Sequence, residues 1–172
     1  MGTAKFSRFE QAVLPHLDAA YNLARWLMRD EDEAADAVQD ACLRALRFIG
    51  SLRGGDGRVW LLAIVRNTCY SRLRQRPMRE SETEFDDEIH SPESETTETL
   101  LARSRDGEAV RQALEELPEQ LREILVMREL EGMAYKEIAA IAEVPLGTVM
   151  SRLARARKRL QRALSTRKES PR

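Results

Sequence analysis

Apolar residues recur at intervals of three and four over most of this 172-residue sequence, and this spacing constrains the fold more than any other feature. It indicates helices that each bury one face. The pattern stops over 77–100, "PMRESETEFDDEIHSPESETTETL", where apolar residues are sparse. Because such a segment buries little apolar surface, we expect a flexible linker there. The prediction is an all-α fold in which two small helical domains, 1–76 and 107–172, are joined by a linker at 77–106.

Charge follows the same division. Residues 1–76 hold 12 Lys and Arg against 9 Asp and Glu, residues 77–108 hold 3 against 11, and residues 109–172 hold 13 against 9. The formal net charge of −1 therefore conceals two basic ends and an acidic middle.

The first domain is predicted to contain three helices. One spans 7–28, and a second follows Asp30 or Asp32, either of which can cap it. The third follows the loop "GSLRGGDGR" and ends at Pro77. The residues expected to face its core are Phe9, Val13, Leu17, Ala20, Ala24, Leu27, Ala34, Val38, Ala41, Cys42, Ala45, Ile49, Leu61, Ile64, Val65, Thr68, Cys69 and Leu73.

The second domain is predicted to end in a helix-turn-helix. One helix covers "EAVRQALEELP", the next starts at Pro118 and stops at Gly132, a short one spans 134–143, and the last spans 146–164. Two rows run along the last helix. The inward row is Leu146, Val149, Leu153, Ala156, Leu160 and Ala163, and the basic row is Arg152, Arg155, Arg159 and Arg162.

The basic row suits phosphates and guanine edges in a major groove. The hydroxyls of Thr148 and Ser151 add short donors near the helix start, and Gly147 allows close backbone approach. A basic row can also be a solvated face or a docking face for an acidic protein. The preceding short helix and turn favour DNA binding.

Several classes of site are not expected. Cys42 and Cys69 lie in apolar helical patterns and are interpreted as small buried hydrophobes. Neither histidine lies at ligand spacing from a cysteine, so we expect no metal and no cofactor. The sequence has neither the apolar run of about 18 residues of a membrane-spanning helix nor a signal peptide. We therefore expect a cytoplasmic, non-enzymatic protein without membrane insertion.

Two separated motifs resemble bacterial RNA polymerase sigma factors of the extracytoplasmic-function (ECF) type. "DEAADAVQDACLRALR" followed by "WLLAIVRNTCYSRLRQR" is similar to sigma region 2, and "GMAYKEIAAIAEVPLGTVMSRLARARKRL" is similar to region 4. The resemblance implies a subunit that binds core RNA polymerase and recognises the −35 and −10 promoter elements. The implied partners are the polymerase β′ clamp and β flap, promoter DNA and an anti-sigma factor.

The resemblance also assigns residues. Side chains that match DNA-facing or backbone positions of region 4 are Ser151, Arg152, Arg155, Arg128 and Tyr135, with Thr148 and Arg159 on the same helix. Those that match polymerase docking are Asp36, Gln39 and Asp40, with Arg44 and Arg47 on the same side of the helix. Lys136 stands where the family often has an acid, and Met150 stands where it often has Lys or Arg, so the base preference does not follow from the resemblance.

The −10 element is assigned to the third helix and the loop before it. Asn67 matches a residue that lines the capture site for a flipped base. The arginines available for phosphates are Arg66, Arg72, Arg74 and Arg76. Trp60 either stacks on a base or belongs to the core, as a large apolar residue at a helix start usually does. The glycine-rich loop predicts a mobile pocket.

Three alternatives remain open at this point. A free-standing helix-turn-helix regulator would need only the second domain. A sigma-mimicking adaptor would be expected to carry a receiver domain as well, and the 172 residues are too few for one. A metal-dependent nuclease would use the acids of "DEDEAAD" (30–36), although acids at a helix start more often complement its dipole.

Overall fold

The computed structural model of the chain describes residues 2–54, 57–76 and 107–169. Within these residues the regular structure is helical and contains no strand, which confirms the all-α prediction. The chain divides into two compact units. The linker predicted at 77–106 lies outside the described residues, so its flexibility remains a prediction. The exact domain boundaries also remain a prediction.

Four helices build the first unit. They are α1 (Gly2–Val13), α2 (Leu17–Met28), α3 (Glu31–Arg47) and α4 (Arg58–Arg74). The single helix predicted over 7–28 is wrong, because a 3-10 turn at Leu14–His16 separates α1 from α2. Pro15 lies in that turn, and proline lacks the N–H that a continuous helix would need there.

The start of α3 is fixed by a side-chain cap. Oδ1 of Asp30 accepts a hydrogen bond from the backbone N–H of Glu33 at 2.9 Å, so Asp30 rather than Asp32 is the capping residue. Glu31, Asp32 and Glu33 fill the first turn. Their negative charges lie at the positive end of the helix dipole and stabilise it.

The core of the first unit is formed where α2, α3 and α4 pack against one another. α3 contributes only alanines to it, Ala34, Ala37, Ala41 and Ala45, all fully buried. Such small side chains allow the neighbouring helices to approach closely. The predicted Ala34, Ala41 and Ala45 are thus confirmed as core residues, whereas the predicted Val38 and Cys42 are only half-buried and Ala37 is buried in addition. Likewise on α4, Leu62 is buried while Ile64 and Leu73 are half-buried.

The end of the glycine-rich loop lies against α1. A Cβ atom added to Gly57 would lie 2.3 Å from the backbone oxygen of Ala12, so only glycine fits this contact. Gly54 has a φ of +85°, a conformation that glycine adopts readily. Residues 55–56 are outside the described part, so the predicted mobility of a pocket in this loop stays a prediction.

The second unit is built mainly from the helices that follow residue 106. They are α5 (Gly107–Glu115), α6 (Glu119–Leu125), a π-helical turn (Val126–Leu130), α7 (Tyr135–Ala142) and α8 (Leu146–Glu169). Pro118 was predicted to be the first residue of this helix, but it is the N-cap, and α6 begins one residue later. Gly132, predicted to stop the helix, follows the π-helical turn and has a φ of +63°. α5 and α6 both pack against α8, which continues past the predicted end at Leu164.

A fully buried arginine joins α5 to α6. Nη1 of Arg122 donates to the carbonyl oxygens of Leu117 at 2.5 Å and Glu115 at 3.2 Å. Carbonyls at a helix C-terminus have no partner within the helix. The Arg122 side chain, 0% exposed, therefore satisfies the end of α5 from inside the unit.

Candidate nucleic-acid interface

α7, the turn Glu143–Pro145 and α8 form the predicted helix-turn-helix. On α8, Val149, Leu153, Ala156 and Leu160 are buried as expected. Leu146 is not: it is 45% exposed, so its assignment to the inward row is wrong. As the first residue of α8, it precedes the turn at which the helix becomes covered by its neighbours.

The predicted DNA-reading side chains lie on the uncovered side of α8. Ser151 is exposed, and its hydroxyl donates to the carbonyl oxygen of Thr148 at 3.2 Å. Arg152, Arg155 and Arg159 are half-exposed. The helix thus presents hydroxyl and guanidinium donors beside a firmly packed apolar row, which is the arrangement that reads base edges and phosphates in a major groove.

Arg128 and Tyr135, both predicted near the DNA backbone, lie together. The guanidinium carbon of Arg128 is 4.6 Å from the centroid of the Tyr135 ring, and Nη1 donates to the carbonyl oxygen of Met133 at 2.8 Å. A cation over an aromatic face is attracted by the ring electrons. Arg128 therefore links the π-helical turn to the start of α7.

α3 carries the predicted polymerase-docking side chains, and most of them are outward. Asp36, Gln39, Arg44 and Arg47 are exposed. Asp40 is half-exposed and pairs with Arg72 of α4, whose Nη2 lies 2.5 Å from Asp40 Oδ2.

The predicted −10 residues on α4 fall into different environments. Asn67 and Arg74 are exposed, and Trp60 is half-buried, which decides neither its stacking nor its core interpretation. The guanidinium of Arg66 lies 4.5 Å from the centroid of the Tyr70 ring. Arg72 pairs with Asp40, and Arg76 pairs with Glu33. Nη2 of Arg74 lies 3.5 Å from the Ser71 hydroxyl oxygen, so all four arginines predicted to bind phosphate contact side chains of the same unit.

Comparisons with known proteins identify both units. The family model "Sigma-70 region 2" matches residues 12–77, and "Sigma-70, region 4" matches residues 107–160. The RNA polymerase sigma-H factor of Pseudomonas aeruginosa is 32% identical over 165 residues, covering 91% of this chain and 86% of the relative. The ECF RNA polymerase sigma-E factor of Escherichia coli K12 is 35% identical, covering 73% and 70%.

This chain belongs to the ECF sigma factors of the sigma-70 family. Solved structures agree with this assignment. The sigma factor RpoE of Bartonella quintana, solved in complex with the anti-sigma factor NepR, has a TM-score of 0.71 at 31% identity and covers 91% of this chain and 96% of its own. CnrH, solved in complex with the cytosolic domain of CnrY, has a TM-score of 0.65 at 26% identity, covering 94% and 89%.

Family membership excludes the alternatives considered above. A sigma factor is a non-enzymatic subunit of RNA polymerase, so the nuclease hypothesis is wrong, and Asp30 caps α3 instead. A free-standing regulator is also wrong, because the region 2 match accounts for the first unit. Within the described residues of this sigma factor, no three His, Cys, Asp or Glu side chains form a group that could hold a metal ion.

The sequence reasoning missed several contacts and exposed apolar side chains of the sigma factor. Nε of Arg157 donates to Glu129 Oε2 at 3.0 Å, which ties α8 to the π-helical turn. Arg76, predicted to bind phosphate, pairs with Glu33. Leu43 and Phe48, near the docking side chains, are 62% and 54% exposed. No spacing rule signals the two ion pairs, since their partners are distant in sequence.

Two other sequence predictions concern the cysteines and the membrane. Cys69 is fully buried, as expected, but Cys42 is only half-buried. Partial burial raises the pKa of the Cys42 thiol, because desolvation disfavours the thiolate. None of the described helices has the length and apolar composition needed to cross a bilayer.

Proposed function

We propose that this sigma factor binds core RNA polymerase and directs transcription initiation by recognising two promoter elements. α8 reads the −35 element as duplex through Ser151, Arg152 and Arg155. The exposed polar side of α8 beside its buried apolar row is the observation that carries this proposal. Arginine can contact guanine O6 and N7 with two hydrogen bonds.

The first unit supplies the other two contacts. Asp36, Gln39 and Asp40 dock on the β′ clamp of the polymerase, with Arg44 and Arg47 on the same helix, while the second unit meets the β flap. The exposed Leu43 supports this docking, because an interface over this side of α3 would remove its apolar side chain from water. Asn67 and the arginines of α4 hold the −10 element as a single strand, with Trp60 beside them.

The same surfaces support regulation by occlusion in the cytoplasm. RpoE of Bartonella quintana was solved with an anti-sigma factor, and its structure matches 91% of this chain. An anti-sigma factor that covers the exposed side chains of α3 or α8 would prevent polymerase and promoter from binding.

Run-off transcription with core polymerase on a genomic promoter library tests the proposal. Arg152→Ala and Arg155→Ala should each weaken transcription from −35-dependent promoters, since one such contact is worth about 1–3 kcal/mol. Arg111→Ala is the matched control, because Arg111 lies on α5 and pairs with Glu115 at 3.2 Å. If both α8 variants transcribe every promoter as well as wild type, α8 is not the reading helix.

Co-elution with core polymerase tests docking separately. Asp36→Arg combined with Gln39→Ala should weaken core binding and leave helicity unchanged, because both side chains point outward. The control is Glu10→Arg with Gln11→Ala, which makes the same change of charge and the same glutamine-to-alanine change at two exposed positions of α1. Equal co-elution of the two double variants would contradict the docking assignment.

A further inference from the structure

Two large apolar side chains are exposed on the recognition helix. Leu146 is 45% and Met150 is 51% exposed, and their spacing of four residues places them on one side of α8. Ala154, also exposed, continues the row by another four residues. The remaining large apolar residues of the first three turns, Val149 and Leu153, are buried. The row is thus an apolar strip beside the polar side chains of Ser151, Arg152 and Arg155.

This strip adjoins the polar side chains proposed to read DNA. Ser151 directly follows Met150, and at about 100° per residue Met150 and Arg152 lie on opposite sides of it. Gly147, next to Leu146, has no atom within 4 Å of the position that a Cβ would occupy. The first turns of α8 are therefore open to a partner.

The chemistry of the major groove offers one apolar partner on its base edges. Guanine, cytosine and adenine present donors and acceptors there, whereas thymine also presents its C5-methyl group. A methionine has no donor for a guanine edge. Its flexible, polarisable thioether instead adapts to an apolar group.

We propose that Met150, with Leu146 beside it, packs on the C5-methyl group of a thymine in the −35 element and so selects thymine at that position. The inference rests on the proposed function, because α8 must lie in the major groove of that element. The proposal accounts for an apolar residue at position 150, where the family often has Lys or Arg. The neighbouring arginines suit guanine and phosphate, whereas Met150 suits a methyl group.

The test isolates the methyl group. Holoenzyme is assembled from core polymerase and the full chain, and its affinity is measured for a promoter obtained from the run-off library. Each thymine of the −35 element is replaced singly by deoxyuridine, which keeps the hydrogen-bonding groups and lacks only the methyl. At one position the replacement should weaken binding about fourfold, the effect of burying one methyl-sized group.

Variants of the protein assign that loss to Met150. In Met150→Gln, which keeps the length of the side chain and makes it polar, thymine and deoxyuridine should bind equally well. Met150→Leu should retain the preference for thymine. Leu14→Ala removes a side chain of similar exposure, 48%, outside α8 and should leave the ratio of the two affinities unchanged.

The outcomes separate the inference from the function on which it rests. If wild-type holoenzyme shows no −35-dependent binding, the proposed function fails and the inference with it. If binding depends on the −35 element but every thymine tolerates deoxyuridine, or the element contains no thymine, the inference alone is overturned. An undiminished thymine preference in Met150→Gln also overturns it, and assigns the methyl contact to another side chain.

Discussion

Arg72 of α4 holds Asp40 of α3 through two hydrogen bonds, from Nη2 at 2.5 Å and from Nε at 3.2 Å. One side chain was expected to bind promoter phosphate and the other to bind polymerase. Their pairing in the free chain means that the charge of each is offset by the other. Arg76, two residues past the end of α4, pairs with Glu33 of α3.

The first prediction is that Asp40→Asn releases Arg72 for DNA. In preformed holoenzyme, the slope of log affinity against log salt for single-stranded −10 DNA should steepen by about 0.7, the value for one additional phosphate contact. The loss of folding free energy should stay below about 1 kcal/mol, since both side chains are partly exposed. Asp18→Asn, at an exposed position of α2, should leave the slope unchanged. An unaltered slope in Asp40→Asn would mean that Arg72 does not reach the strand.

The second prediction concerns the ion pair that holds the recognition helix. The Glu129 side chain is only 7% exposed, so Arg157→Ala leaves a nearly buried carboxylate without this donor. The free energy of unfolding should fall by about 2 kcal/mol, as for other hydrogen bonds to charged groups. Lys158→Ala, the adjacent cation, should change it by less than about 0.5 kcal/mol. Urea denaturation followed by circular dichroism measures both, and equal losses would contradict a special role for Arg157.

The third prediction concerns the contact between the glycine-rich loop and α1. Gly57→Ala places a Cβ 2.3 Å from the Ala12 oxygen, which forces the backbone to shift. We expect a loss of about 1–3 kcal/mol in unfolding free energy, the usual effect of overpacking. Gly50→Ala is the control, because a Cβ there meets nothing within 4 Å. Gly57→Ala should unfold at a lower temperature than Gly50→Ala. Identical midpoints of thermal unfolding would show that α1 can shift away from the added Cβ without loss of stability.

The fourth prediction concerns the turn of the helix-turn-helix. Glu143 has a φ of +58°, a left-handed conformation that is unfavourable for a residue with a side chain. Glu143→Gly should therefore stabilise the chain by about 0.5 kcal/mol, after the larger backbone entropy of glycine is allowed for. The same change to glycine inside α8, Ala154→Gly, should destabilise it by about 1 kcal/mol. Denaturant midpoints that move in the same direction for both variants would contradict the strain at Glu143.

Sequence spacing predicted the helices well where one face is deeply buried. The buried row Val149, Leu153, Ala156 and Leu160 is as expected, because a recurrence of three and four admits only one inward face. On α3 spacing was correct for Ala34, Ala41 and Ala45, but it assigned the half-buried Val38 and Cys42 to the core and omitted the buried Ala37. It also failed at Leu14–His16, where the apolar row continues through a break in the helix.

The sequence by itself determined which residue types line each helix, and its two motifs determined the family. It placed Asp36, Gln39 and Ser151 on exposed helix faces because the position of a side chain around a helix follows from its number alone. Only the tertiary structure decided which charged side chains bind partners within the protein. Arg72 with Asp40, Arg157 with Glu129 and the buried Arg122 depend on distances between different helices. Such distances arise from packing, which no local spacing in the sequence records.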